Sequence, residues 1–376
     1  MKSVGFNLIV GKGESDILER CLSQISKIGF DEVVICVTCD DPDVYSVAHK
    51  YASKVVSFDW TDNFSDARNY VQSKTTSDYL CFCDTDDYIP DRLISGYREA
   101  VSIVRKLDKE CYTVKYHVRF DDKDTPTETI LRVMFYKRTI EWLYPIHEAL
   151  NVKSNMPRGN FENLYIEHRP KDNQAEHSDR NLKILKNEYE NNYSPRIAFY
   201  YGKELICNGM ISDGVSMFED LVYKKEGGIE NLAHAAMYLG YHYTYDNGDT
   251  TKVSKFIDIG ETYIRIAISF APGYAEMYNL LGDIYSSRED FDNAENCYKK
   301  ALEQKIGGHL SQNTAHYSLI PSEKLTKIYY KKKNYEMALY YNKISIMSNM
   351  DKKRILENRG YILTELNKEY DRLKSK

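Results

Sequence analysis

The sequence predicts an α/β domain built on a largely parallel sheet, followed by an all-α domain of stacked helical repeats. Three observations carry this reading. From residue 4 to about 120, short β-rich runs alternate with apolar residues at helical spacing, the pattern of βαβ units. From about residue 179 onward the pattern is helical throughout, and glycines recur at equivalent places beside aromatic residues. Within the first of these, "YLCFCDTDDYIP" (residues 79–90) drives an apolar run into Asp84, Asp86 and Asp87 before stopping at Pro90. Carboxylates this close repel one another unless a cation or hydrogen-bond donors hold them.

Each element of the first half follows from its local pattern. "VGFNLIV" reads as a strand, and Leu18, Leu22, Ile25 and Ile28 then mark a helix. "EVVICV" is the second strand, followed by a helix through Val44, Val47, Ala48 and Tyr51. "KVVSF" is the third, and the short helix "FSDARNYVQSK" leads into "DYLCFC". After a helix around residues 91–107, "YTVKYHVRF", "TETILRVMFYKR", "IEWLY" and "NLYIEH" read as antiparallel or mixed additions to the sheet. Ligands of such sheets bind outside the carboxyl ends of the strands, where the Asp cluster falls. The polar stretch "RPKDNQAEHSD" has no hydrophobic period and marks the boundary, giving domains at 1–170 and 171–376.

In the second half Gly202, Gly240 and Gly282 stand three residues before Leu205, Tyr243 and Tyr285. The clearest unit runs through Tyr278, Leu281, Gly282, Tyr285, Phe291, Ala294, Tyr298 and Ala301. It resembles the tetratricopeptide repeat, in which small residues let paired helices approach and aromatics fill the gaps. The glycines are 38 and 42 residues apart (240 − 202 and 282 − 240), longer than a strict repeat of about 34, so insertions such as "DNGDTT" are expected. Tyr329, Tyr335 and Ala338 repeat the end of the pattern, while Tyr330, Tyr340 and Tyr341 look exposed. A last amphipathic helix through Ile355, Tyr361, Leu363, Leu366 and Tyr370 either caps the array or pairs with a second copy.

Composition narrows the class. Of 376 residues, 51 are basic and 56 acidic, for a net charge of −5, so no basic excess advertises a nucleic-acid partner. No apolar run approaches the roughly 20 residues that cross a bilayer, and "MKSVGFNLIVGKGES" reads as a first strand rather than a signal peptide. Eight cysteines are scattered, several within apolar runs. Cys36 and Cys39 have CxxC spacing, but no second pair follows at zinc-site distance. A reducing cytoplasm is the expected setting.

Three chemistries place an Asp-x-Asp after a strand. A calcium loop needs further oxygen ligands and a glycine that "DTDDYIP" lacks. Phosphatases of the haloacid dehalogenase type use the first strand of the domain, whereas this is about the fourth. Nucleotide-sugar glycosyltransferases use the motif to hold a metal on the donor diphosphate. "VVSFDWTDNFSDARN" (residues 55–69) followed by "SDYLCFCDTDDYI" resembles family 2 glycosyltransferases of the Rossmann-like GT-A fold, near a subgroup joined to tetratricopeptide repeats. Bacteriocin S-glycosyltransferases are similar in layout.

The resemblance implies an inverting, metal-dependent transfer from a nucleotide-sugar donor, with UDP-sugar first among donors and Mn²⁺ or Mg²⁺ as cofactor. It implies that Asp84 and Asp86 hold the metal, that His168 completes the metal site, and that Glu148 in "WLYPIHEALNV" is the general base. His147 is a rival for either role. Arg68, on the short helix, adds a fixed cation to the phosphates, its bland alternative being a structural ion pair. The usual first turn reads Gly11-Lys12-Gly13-Glu14 here, and Val37 stands where an Asp would contact the nucleobase. Asp40, Asp41 or Asp43 replaces it, with Asp40 taken as the donor-binding residue. The acceptor is left open among a peptide side chain, another sugar and a modified nucleobase, and a homodimer through the repeats is expected. The competing reading is a repeat-based binding scaffold whose first domain has lost activity.

Overall fold

"VGFNLIV" forms β1 (Val4–Val10), buried along nearly its whole length, as a strand covered on both faces must be. A computed structural model describes residues 1–153, 155–171, 174–246, 249–308, 310–348 and 352–375. Helix α1 (Ser15–Ile25) turns Leu18, Cys21, Leu22 and Ile25 toward the core. Then follow β2 (Glu32–Val37), α2 (Pro42–Tyr51), β3 (Lys54–Ser57), α3 (Phe64–Ser73) and β4 (Tyr79–Phe82). β1 pairs in parallel with both β2 and β4, and β2 with β3, as the alternating pattern predicts.

Beyond the acidic turn come β5 (Asp87–Tyr88), α4 (Ile94–Val104), β6 (Cys111–Phe120), β7 (Pro126–Lys137), β8 (Trp142–Leu143), β9 (Ala149–Leu150) and β10 (Arg158–His168). The main sheet runs β3-β2-β1-β4-β7-β6-β10-β5. β4 meets β7 antiparallel, β6 meets β10 parallel, and β5 meets β10 antiparallel with Asp87 opposite His168. The core gathers Phe6, Leu8, Leu18, Leu22, Tyr97 and Phe135 around these strands. Cys36 packs against Val34 and Val71 within a small apolar cluster, and all eight cysteines are free.

The chain divides into two compact units, Met1–Phe120 with Ile130–Gly214, and Asp121–Thr129 with Val215–Lys376. The sheet of the first ends at His168, just before the expected division at residue 170. That unit continues through α5 (Gln174–Asn191) and α6 (Pro195–Cys207). Of the boundary stretch "RPKDNQAEHSD", Asp172 and Asn173 lie outside the described residues.

After α7 (Ile211–Lys224), the second unit stacks α8 (Ile229–Thr244), α9 (Ile257–Phe270), α10 (Ala275–Ser287), α11 (Phe291–Glu303), α12 (Leu319–Lys331), α13 (Tyr335–Met347) and α14 (Lys352–Lys374). A Cβ on Gly240 would lie 2.3 Å from the Ile264 side chain, and one on Gly282 would lie 2.6 Å from the Tyr298 ring. Only glycine lets those helices cross so closely. The expected insertion "DNGDTT" joins two short antiparallel strands, with Asn247 and Gly248 outside the described residues. Tyr330 and Tyr340 are exposed as expected, but Tyr341 is buried and stacks on Tyr329 at 5.5 Å. Its position on α13 turns it into the array rather than outward. On α14, Ile355 and Ile362 are buried, whereas Tyr361, Leu363 and Tyr370 face solvent. Among the described residues no helix is long and apolar enough to cross a membrane.

Candidate active site

The acidic turn is built by its own hydrogen bonds. Asp87 donates its backbone N–H to the Asp84 carbonyl at 3.1 Å, and Asp87 Oδ2 accepts from the Asp84 N–H at 2.9 Å. Thr85 donates its hydroxyl to Glu14 Oε2 at 3.1 Å, and the same oxygen accepts from the Gly11 N–H at 2.9 Å. Glu14 therefore ties the loop after β1 to the loop after β4. Arg169 donates its N–H to the Asp86 carbonyl at 2.8 Å, and Arg20 of α1 reaches the Arg169 carbonyl at 2.8 Å.

Two guanidiniums sit against this turn. Arg68 donates from Nη2 to Asp84 Oδ1 at 2.6 Å and from Nε to Glu148 Oε1 at 2.7 Å. Arg132 donates from Nη2 to Asp84 Oδ2 at 2.6 Å and from Nη1 to Asp87 Oδ2 at 2.9 Å. Aromatic faces pack on both cations: Phe82 and Trp142 on Arg68, Phe82 and Tyr116 on Arg132. Burial opposes charge on Arg68, yet the Glu148 and Asp84 carboxylates outweigh it and raise its pKa. Burial likewise works against an ionised Asp84, but Arg132 and Arg68 hold its carboxyl well below the usual range. Asp87 behaves oppositely. Burial, with Asp84 and Asp86 as like charges, pushes it up to about 6 against the pull of Arg132.

The motif "FSDARN" explains how Glu148 arrives here. Ser65, Arg68 and Asn69 share one face of α3, being three and four residues apart. Ser65 donates to the Tyr144 carbonyl, and the Phe64 N–H donates to the Pro145 carbonyl at 2.8 Å. Asn69 brackets Trp142, accepting from its N–H and donating to its carbonyl, each at 2.9 Å. One helix face thus clamps residues 142–145, and Arg68 closes the clamp on Glu148.

A second cluster lies beside the first. Asp86, Asp87 and His168 each offer a ligand atom within 4.8 Å of the others, the one such metal-capable group among the described residues. His168 Nδ1 stands 3.5 Å from Asp86 Oδ1, 4.0 Å from Asp87 Oδ1 and 2.9 Å from the Tyr116 hydroxyl. Burial would lower the His168 pKa, but Asp86, Asp87 and Asp84 together raise it. Asp87 Oδ1 is buried and has no hydrogen-bond partner. A buried acceptor without a donor is costly, and a cation would satisfy it, so this donor set fits a divalent metal.

The structure therefore brings Asp86 and His168 together with Asp87 and leaves Asp84 between two arginines rather than in the metal-capable group. Asp40 is exposed in the loop after β2, while Asp41 caps α2 and accepts from the Gly13 N–H at 2.9 Å. His147 is not in the cluster. It stacks on Tyr200 with ring centroids 4.1 Å apart, and its carbonyl accepts from Arg196 at 2.9 Å. Arg132 escaped the sequence reading. Its signal is a lone cation in the apolar run "ILRVMFY", which a buried strand tolerates only with a partner.

The first unit is thus an α/β domain whose polar site sits where the parallel strands end, and the second is a helical repeat array. Residues 8–162 match the family model for glycosyl transferase family 2, and residues 275–305 match that for a tetratricopeptide repeat. A TPR repeat-containing protein of Synechococcus elongatus is 24% identical over 151 residues, which cover 40% of this chain and 36% of that protein. The chain therefore spans about a third of the length of that curated relative. Among solved structures, S. aureus TarS aligns with TM-score 0.37 and 13% identity over 80% of this chain and 55% of its own. A TPR protein of Thermus thermophilus aligns with TM-score 0.31 and 18% identity over 51% of this chain and 92% of its own.

Proposed function

We propose that the chain is an inverting glycosyltransferase that moves a sugar from a nucleoside diphosphate donor, UDP first among them, to an acceptor nucleophile. The observation that carries this reading is the acidic turn with its paired arginines, set at the strand ends of a family 2 domain. Arg68 and Arg132 are positioned to face a diphosphate, and each can trade a carboxylate for a phosphate oxygen without losing charge pairing. Asp84 fixes both arginines. Asp40 lies in the loop after β2, on the side where a nucleoside binds in open α/β sheets.

Glu148 takes the acceptor's proton as its oxygen or sulfur attacks the anomeric carbon. The new bond forms there as the anomeric C–O bond to phosphate breaks, and the nucleoside diphosphate leaves with the electron pair. No general acid is required, because the leaving group is a stabilised anion. A divalent cation, Mn²⁺ or Mg²⁺, would be held by Asp86, Asp87 and His168, and when bound it supplies positive charge next to the leaving diphosphate. The repeats bind a partner protein or a second copy of the chain, for which the exposed Tyr361 and Tyr370 offer surface.

A thermal-shift screen of nucleotide sugars with Mn²⁺ tests the reading. A donor at one hundred times its Kd should stabilise by about 2.7 kcal/mol. If no nucleoside diphosphate or nucleotide sugar shifts the transition, the proposal fails.

A further inference from the structure

Helix α5 carries residues that no part of the proposed reaction uses. A cavity of about 530 Å³ opens between it and the loop preceding α3, within the range typical of small-ligand sites. Its walls include Asp62, Asn63 and Asp66 on one side and Lys183, Asn187 and Glu188 on the other. Lys183, Ile184 and Asn187 line it from one face of α5, and Arg180 continues that face one turn earlier, at three- and four-residue spacing. At about 1.5 Å per residue, that face extends about 10 Å from Arg180 to Asn187.

Arg180, one turn before Lys183 on α5, interacts electrostatically with both Asp62 of the cavity wall and Glu148 of the site already described. The Arg180 guanidinium lies 5.1 Å from the centre of the Phe64 ring. Phe64 bonds the Pro145 carbonyl, Pro145 lines the cavity, and Glu148 follows three residues later. The Pro145 and Arg180 end of the cavity is therefore the end that faces toward Glu148.

The lining indicates what that group is. Four carboxylates (Asp62, Asp66, Glu188, Glu190) outnumber two ammonium groups (Lys183, Lys186), which disfavours a polyanion. Only Ile184 and Pro145 are apolar, far from the apolar and aromatic lining that most pockets use. Carboxylates accept, lysines donate, and Asn63 and Asn187 do both. Vicinal hydroxyls, each a donor and an acceptor at once, match such an alternation.

Resting on the glycosyltransferase reading above, we infer that this cavity is the acceptor subsite and that it takes a neutral, hydroxyl-rich saccharide. The test uses the full chain with UDP and Mn²⁺ and saturation-transfer NMR on methyl β-glucoside, methyl α-mannoside, N-acetylglucosamine and lactose. A lysine-rich peptide and tripolyphosphate are run in parallel. At least one saccharide should receive saturation, and Lys183→Ala with Asn187→Ala should weaken its binding about tenfold, the equivalent of one or two lost hydrogen bonds. UDP binding should not change in that variant. Saccharide signals that are absent, or that survive the variant, overturn the inference, as does a peptide or phosphate signal that the variant removes instead. Retained UDP binding in those cases confines the failure to the subsite. Saccharide binding without binding of any nucleoside diphosphate would leave a saccharide site but overturn its role as an acceptor subsite, together with the transferase reading.

Discussion

Arg68 is bonded to Glu148, Nε to Oε1 at 2.7 Å, across 80 residues of sequence. The same guanidinium holds Asp84 at 2.6 Å. Arg68 is 7% exposed and Glu148 15%, so removing the cation strands carboxylates in a poorly hydrated place. Arg68→Ala should therefore cost on the order of 3 kcal/mol of stability, the low end for a broken buried pair because Asp84 keeps partial contact with water. Urea unfolding measures it, and a loss below about 1 kcal/mol, the level of an exposed pair, would mean that the pairing contributes little.

Glu148→Gln keeps the shape of the side chain and removes its basicity. Turnover should fall about 10²–10⁴-fold, the span for a lost general base, while affinity for the nucleotide sugar stays constant. Donor affinity falling in step with turnover would move Glu148 into the donor site.

The metal assignment separates neighbouring aspartates. Asp86→Asn and His168→Ala should each weaken Mn²⁺ binding at least about tenfold, since even groups that only orient metal ligands contribute that much. Asp84→Asn should leave Mn²⁺ affinity near its starting value, because its carboxylate is occupied by Arg68 and Arg132. Calorimetric titration with Mn²⁺ resolves the three variants. Equal losses in all of them would return Asp84 to the metal site.

His147 gives a pH signature. Burial first, with Lys203 and Arg196 adding to it, drops its pKa to about 3. Between pH 6.5 and 3 the unfolded chain binds a proton there that the folded chain does not. Its contribution is present above pH 6.5 and is lost as pH falls, on the order of 1 kcal/mol per pH unit. His147→Phe, which keeps a ring against Tyr200, should flatten the stability profile between pH 7 and 5 relative to the parent. Parallel profiles for both proteins would show that His147 is hydrated and titrates normally.

Local patterns exposed much of this architecture. Alternating apolar runs placed β1 to β4 and the helices between them, because a parallel sheet buries its strands on both faces and leaves near-continuous apolar segments. "DTDD" marks the candidate site because its charges end an apolar strand run, and "FSDARN", on α3, marks it through the resemblance it carries. The partition of roles was not legible. Whether Asp84 or Asp87 joins Asp86 depends on Arg132, which β7 brings alongside β4 from 48 residues away. Tyr341 likewise reads as surplus aromatic surface until Tyr329 stacks on it. Short-range periodicity does not encode these long-range pairings.

The most direct test of the transferase reading is release of nucleoside diphosphate from a set of UDP-sugars by the full chain with Mn²⁺, run beside Asp86→Asn. Slow hydrolysis of at least one donor is expected, with loss on adding EDTA and loss in the variant. No release from any donor despite tight UDP binding, or release that neither EDTA nor Asp86→Asn reduces, would contradict it.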